Sequence, residues 1–374
     1  MRAAVLHQYS VPLQIEDVDI QEPQQGEVLV RIAASGICGS DVHLFHGRPN
    51  LGECLPIVLG HEGAGVVEAV GPGVTDLKRG DKVIIAMGGP CGHCDYCGEG
   101  RMQFCSGNPP RSTFGEMADG TFRLSQGGRT VHSFVGIGSF GEYCVVRRSK
   151  LVKFDFEAPF ESMCLISCGV TTGLGAVFNC ADVRPGSSVL VFGCGGIGLS
   201  IIQGAKIAGA AKIIAVDTNP HKLDLASDFG ASHCIVAPED PKELVALTKQ
   251  IASRGVDYAF DAVGTRKERL MELMALTDMG GLTVAVGVFS GQDEVPVLAG
   301  DLLFGARRLT GVRGGNGYPG LDIPRILRLY HTKRLKLDEL VGASFAFDDI
   351  GEAFASAAKA EHGRVVLRVA PQLL

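Results

Sequence analysis

The chain has 374 residues, 46% of them hydrophobic and 20% charged, with 41 acidic side chains against 35 basic ones and a formal net charge of -6. That composition excludes a disordered chain and leaves room for two sizeable cores. No Lys/Arg-rich block interrupts it, so nucleic acid is excluded as a partner.

The N-terminal stretch is too broken by polar residues for a secretory signal. The 12 cysteines are therefore expected to be thiols or metal ligands in a reducing, cytoplasmic setting. The most apolar region, 189–216, carries glycine pairs together with Lys206 and Lys212. It reads as strand, helix and strand, with no membrane span expected.

In chain order, short β-prone runs bounded by Gly and Pro come first: 27–32 (EVLVRI), 65–70 (GVVEAV) and 81–85 (DKVII). They predict a β-rich, partly open barrel over the first ~150 residues. Cys38 lies among them in GICGSDVH, and His61 in GHE. Alone, each has an ordinary reading, as a small core residue or a satisfied polar group.

Residues 91–105 read CGHCDYCGEGRMQFC, so Cys91, Cys94, Cys97 and Cys105 are spaced C-x2-C-x2-C-x7-C. Four thiolates this close can complete a tetrahedral zinc shell and leave no position for a substrate. The bacterial ferredoxin run is C-x2-C-x2-C-x3-C-P; here the last cysteine falls four residues later and Ser106 follows it. Zinc is the expected metal, since four free loop thiols would be a redox liability. If this site is closed, a catalytic metal needs another ligand set with a vacancy. Cys168, in ISCGVTTG, joins Cys38 and His61 as candidates, because two Cys and one His plus water is one known catalytic zinc shell.

From about residue 168 the texture changes. Buried-strand runs at 188–192, 212–216, 258–261 and 282–286 alternate with helical stretches, which predicts a parallel sheet with crossover helices. Directly after the first of these runs stands a G-x-G-x-x-G, Gly193 to Gly198, followed by a small-residue helix over 199–208. Gly193 suits a tight turn, Gly195 close approach of a pyrophosphate, and Gly198 close helix–strand packing. Asp217, nineteen residues past Gly198, can accept hydrogen bonds from an adenosine ribose and repel a 2′-phosphate, favouring NAD over NADP. Lys222 is a second candidate at the ribose. The tail is expected to form helices over 323–331 and 350–360 and a strand over 364–369, and to return to the first domain.

With GHE followed by Gly65, Gly71 and Val74, then the four-cysteine loop, the Cys168 segment, the dinucleotide motif and Asp217 in that order, nearly the whole chain resembles the zinc-dependent medium-chain alcohol dehydrogenases. It is similar to their long forms, with a structural zinc lobe (about 88–106) and a following loop (106–131). The resemblance implies an α/β protein: a GroES-like β-rich catalytic domain (1–169 and 314–374) and a doubly wound Rossmann NAD-binding domain (170–313), with the active site in the cleft between them.

It further implies two zinc ions per chain. The catalytic ion would be held by Cys38, His61 and Cys168 with Glu62 beside them, the structural one by Cys91, Cys94, Cys97 and Cys105. Ser40 and His43 would relay the proton. Thr172, Gly196, Ile197, Val286 and Arg364 would serve the cofactor, Arg364 near its pyrophosphate. Met87, Phe134, Val135 and Val288, with Ser40, would line a mostly apolar pocket.

The expected activity is reversible oxidation of primary aliphatic, allylic or aromatic alcohols to aldehydes, by hydride transfer to nicotinamide. The expected assembly is a homodimer through Rossmann sheet edges, or a tetramer. Alternatives are a thiol-adduct-dependent formaldehyde dehydrogenase and a nicotinoprotein with non-exchanging NAD. The chain departs from the family pattern in having Gly39, where a basic residue often contacts the pyrophosphate. Around 47–51 (GRPNL) it shows no acidic pair of the kind that would receive a thiol adduct.

Overall fold

The run predicted as a strand over 27–32 continues in the structure to give Glu27–Ile37, and the next one begins earlier, as Glu62–Val70. The added residues Ala33, Ala34, Ser35 and Gly36, like Gly63 and Ala64, carry little β propensity of their own. They are strands because of their neighbours: Ser35 pairs with Gly63 and Gly36 with Glu62, while Ala34–Ile37 face Val365–Arg368 on the other side. Small side chains suit this position. A Cβ at Gly36 would overlap the Glu62 carboxylate. The structure, a computed structural model, describes residues 1–48, 54–289, 291–359 and 363–373. Residues 49–51 of the GRPNL segment and the expected helix end at residue 360 lie outside them.

Among the described residues the chain divides into two units, Met1–Cys168 with Gly317–Leu374, and Gly169–Asn316. The first is built on two sheets. One contains Arg2–Leu6, Ile57–Val58 and Arg129–Ser133; the other contains Glu27–Ile37, Glu62–Val70, Lys82–Ile85 and, from the tail, Arg364–Arg368. Their shared core includes Val28, Val30, Ile32, Ile57, Ile85 and Phe140, each fully buried.

The second unit is a sheet of six parallel strands. Numbered along the chain from Ser188–Phe192 to Arg308–Gly311, they lie in the order 3-2-1-4-5-6. That is the doubly wound Rossmann order, in which ligands bind beyond the carboxyl ends of strands 1 and 4. Those ends are Phe192 and Asp261, directly paired.

The second unit runs to Asn316, three residues beyond its expected end at 313. The turn Gly314–Asn316 packs on the helix Gly169–Gly175 so closely that a Cβ on Gly175 would overlap Gly315, and Asn179 donates to the Gly315 carbonyl at 3.1 Å. No single helix among the described residues is long and apolar enough to cross a membrane.

Candidate active site and zinc centres

Cys38 follows the strand Glu27–Ile37 and caps the short helix Gly39–Phe45, its N–H donating to Asp41 Oδ2 at 2.9 Å. His61 precedes the strand Glu62–Val70, which places Glu62 at the strand's first position. Cys168 follows the turn Leu165–Ser167, whose Ser167 hydroxyl donates to the Gly63 carbonyl at 3.0 Å. These three connections bring candidate ligand atoms of Cys38, His61, Glu62 and Cys168 within 4.8 Å of one another, all buried.

Asp41, not singled out from the sequence, organises this set. It is fully buried; besides Cys38 it accepts from the Gly60 N–H at 2.9 Å and from His61 Nδ1 at 3.3 Å through Oδ1. Since a carboxylate only accepts, Nδ1 carries the proton and Nε2 is left to a metal. Burial disfavours charge on His61, but Asp41 and the Cys38 thiolate outweigh it and raise the imidazole well above its usual range. Cys38 is held low by the hydrogen bond from Cys168, which is correspondingly pushed up. Two thiols and an imidazole thus converge in a dry site where only a cation lets all of them bind deprotonated, as zinc requires.

Burial raises Glu62 to about 7 against the opposing pull of Arg364, whose guanidinium is ion-paired with it. Arg364, expected near a pyrophosphate, is thus buried beside the candidate metal ligands, while its Nε has no hydrogen-bond partner among the described residues. Ser40 and His43 lie three residues apart on one helix, both half-buried, with Ser40 Oγ 3.9 Å from Cys38 Sγ. Phe134 packs edge-on against the His61 ring, centroids 5.2 Å apart. The Met87 N–H donates to the Ser167 carbonyl at 3.4 Å. Met87, Phe134 and Val135 are half-buried; Val288 belongs to the second unit and is 57% exposed.

The cysteine quartet is a separate centre. Its sulfurs lie within 4.8 Å of one another, Cys91 to Cys97 at 4.0 Å and Cys94 to Cys105 at 3.9 Å. A tetrahedron of Zn–S bonds of about 2.3 Å has edges of about 3.8 Å, so the set fits zinc. The Cys97 N–H helps hold Cys94 down at about 5, while burial and the neighbouring thiols push Cys97 up to about 11. A cation among the sulfurs would draw the raised Cys97 thiol down to the thiolate that zinc binds.

In the second unit, Gly193 has φ +94° and Gly198 approaches the Gly193 carbonyl so closely that a Cβ would overlap it. Beside Gly195 a Cβ would meet nothing within 4 Å. Gly196 and Ile197 open the helix Gly196–Ala208, three residues ahead of its expected start. The open face over Gly195 at a helix N-terminus is the cradle a pyrophosphate needs. Asp217 accepts from the Cys194 N–H at 2.7 Å and the Asn219 N–H at 2.9 Å, one on each oxygen. Its carboxylate is fixed, with acceptor capacity left on both oxygens. Lys222 is half-buried near Cys194, Val286 donates to the Asp261 carbonyl at 3.0 Å, and Thr172 is buried in the helix Gly169–Gly175. Gly39 faces open space.

Fold and ligand sets together define a zinc-dependent, dinucleotide-linked dehydrogenase. The Alcohol dehydrogenase GroES-like domain matches residues 24–156 and the Zinc-binding dehydrogenase domain matches residues 196–332. The chain is 38% identical to the S-(hydroxymethyl)glutathione dehydrogenase of a Synechocystis species over 94% of its own length and 95% of that protein. Among solved structures it is similar to an alcohol dehydrogenase zinc-binding domain protein from Burkholderia ambifaria (35% identity, TM-score 0.91, 98% of each chain covered). It is equally similar to the benzyl alcohol dehydrogenase of Acinetobacter calcoaceticus (34% identity, TM-score 0.91, 99% of each chain covered). The chain belongs to the zinc-dependent medium-chain alcohol dehydrogenase family, whose members use zinc and a nicotinamide dinucleotide.

Proposed function

We propose that this dehydrogenase uses NAD, carries two zinc ions per chain, and interconverts primary aromatic or allylic alcohols and their aldehydes. The observation that carries the reading is the convergence of Cys38, His61 and Cys168 in a buried set with Phe134 packed on His61. It gives an open metal shell an apolar, aromatic neighbour. Zinc, when bound, supplies a Lewis acid for the substrate oxygen, and the nicotinamide accepts the hydride.

The chain's own groups do the rest. Asp41 holds His61 with Nε2 presented to the metal. Ser40 Oγ takes the alcohol proton as it gives its own to His43, which releases it to solvent. Asp217 holds the ribose hydroxyls and repels a 2′-phosphate. The apolar side chains of Met87, Phe134 and Val135 exclude water from the reacting carbon. We further propose a homodimer through the edge strand Arg308–Gly311, near which Leu302, Leu303 and Phe304 are exposed.

The test is a panel of benzyl, allylic and short aliphatic alcohols and their aldehydes with NAD and NADP, following reduced nicotinamide. An artificial hydride acceptor is included so that non-exchanging NAD still registers as turnover. Turnover of benzyl alcohol with NAD, at a kcat/KM above that of ethanol, is expected; turnover of none of these alcohols refutes the reading. The similarity to the Synechocystis enzyme favours one rival, a formaldehyde dehydrogenase acting on the glutathione adduct. A higher kcat/KM for that adduct than for any free alcohol would establish it.

A further inference from the structure

Lys150 is 5% exposed, yet no carboxylate meets its ammonium group among the hydrogen bonds and ion pairs of the described residues. It donates to two backbone carbonyls, Val135 at 2.6 Å and Met87 at 3.1 Å. Burying a lysine this way is costly, and burial, helped by Arg147, pushes Lys150 down to about 7. A neutral amine keeps two protons, one for each carbonyl, so the double contact does not depend on the charge.

Both carbonyls belong to segments that touch the catalytic ligands. Met87 donates its N–H to Ser167, next to Cys168. Val135 follows Phe134, whose ring packs on His61. Val135 is also strained: it is β-branched and left-handed, with φ 55° and ψ 20°. Such residues keep that conformation only where their surroundings impose it.

We propose that Lys150 is a positioning residue for substrate selection, clamping the Met87 and Val135 carbonyls so that both stretches of pocket wall keep a fixed distance from the metal ligands. The inference rests on reading Met87, Phe134 and Val135 as pocket wall. Without the clamp Val135 relaxes out of its left-handed conformation, Phe134 moves with it, and the wall no longer fits a flat aromatic substrate. A small alcohol makes little use of that wall and is affected less.

The test compares Lys150→Met with the parent enzyme on benzyl alcohol and ethanol, with bound zinc and thermal unfolding recorded for each. The ratio of kcat/KM for benzyl alcohol to that for ethanol should fall about tenfold or more, chiefly through KM, with zinc content unchanged. Val135→Gly removes the strain, since glycine adopts this conformation freely. In a Val135→Gly background, Lys150→Met should therefore change the ratio less than about threefold, a non-additivity that a merely structural role would not produce. An equal change in both backgrounds, or an unchanged ratio, overturns the proposal. If Lys150→Met does not fold alone, the Val135→Gly background decides: a folded double variant with an unchanged ratio supports the clamp. Failure to fold there too makes Lys150 a core-stability residue and overturns it. A parent enzyme that oxidises neither alcohol refutes the pocket reading instead, which keeps the two failures distinct.

Discussion

Asp41→Asn should weaken zinc binding at Cys38, His61 and Cys168 while leaving the cysteine quartet untouched. Asp41 accepts three hydrogen bonds, one on Oδ2 from Cys38 N–H and two on Oδ1 from Gly60 N–H and His61 Nδ1. Asparagine keeps the volume but only one acceptor oxygen. Placed to serve Gly60 and His61, its amide nitrogen opposes the Cys38 N–H, donor against donor. A hydrogen bond to a charged acceptor contributes about 1.5–3 kcal/mol, and the bond remaining to His61 loses its charge assistance. A loss of this size corresponds to roughly 10–100-fold in zinc affinity, the range found when such supporting partners are removed. The assay is bound zinc per chain after equilibration against graded chelator, with circular dichroism to confirm the fold. One ion should leave the variant at a chelator activity 10–100 times lower than in the parent, while the second leaves at the same point in both. Coincident curves for parent and variant would refute the role given to Asp41. Simultaneous loss of both ions would refute the independence of the two centres.

Other perturbations separate the remaining parts. Cys168→Ser should abolish turnover while the quartet keeps its zinc and the unfolding temperature stays close to the parent's; an unchanged kcat would remove Cys168 from the catalytic shell. Asp217→Asn should raise NADP use relative to NAD by about 10²–10³-fold, because like charges about 4 Å apart at an effective dielectric near 20 cost about 4 kcal/mol; the ratio of the two kcat/KM values checks it. Arg123→Met should destabilise by about 3–5 kcal/mol in urea unfolding, because it strands a buried carboxylate: Arg123 makes two bonds of 2.6 and 2.7 Å to Glu27, and both side chains are buried. Asp119, partly exposed and paired with the same arginine, is lowered from 3.8 to about 2, its partners Arg123 and Thr121 outweighing the opposing effect of burial. A lowered acid stabilises the fold above its unfolded value, so this contribution should be intact above pH ~4 and fade as pH falls toward 2. In Arg123→Met that acid-side slope should shrink.

Much of the fold was legible because it is local. The quartet lies within one short run, so its spacing alone announced a closed tetrahedral site. The strand Ser188–Phe192 and the glycine turn after it carry their own signature, and the structure returns that strand with the same limits. Strands were read too short wherever neighbours impose the extended backbone. Ala34 to Gly36 are small residues with no β signature, and pairing on both sides makes them strand.

The catalytic set shows the boundary most clearly. Cys38, His61 and Cys168 are each unremarkable in sequence; a known two-Cys, one-His zinc shell made them candidates, and the family resemblance implied them as a set. What joins them physically is a cap, a strand entry and a turn meeting in one core. Asp41, Lys150 and the Glu62–Arg364 pair carry no sequence signal for their roles, since each role depends on partners distant in the chain, Gly60 and His61 in the case of Asp41. The amino-acid sequence by itself determined the two-domain α/β architecture, the close cysteine quartet that fits zinc and the dinucleotide fingerprint, because neighbouring residues suffice to specify them. Only tertiary structure decided which oxygen orients His61, which arginine balances Glu62 and which lysine donates to the Met87 and Val135 carbonyls. Those pairings arise from long-range burial, where an unpaired polar group is costly and the fold must supply its partner.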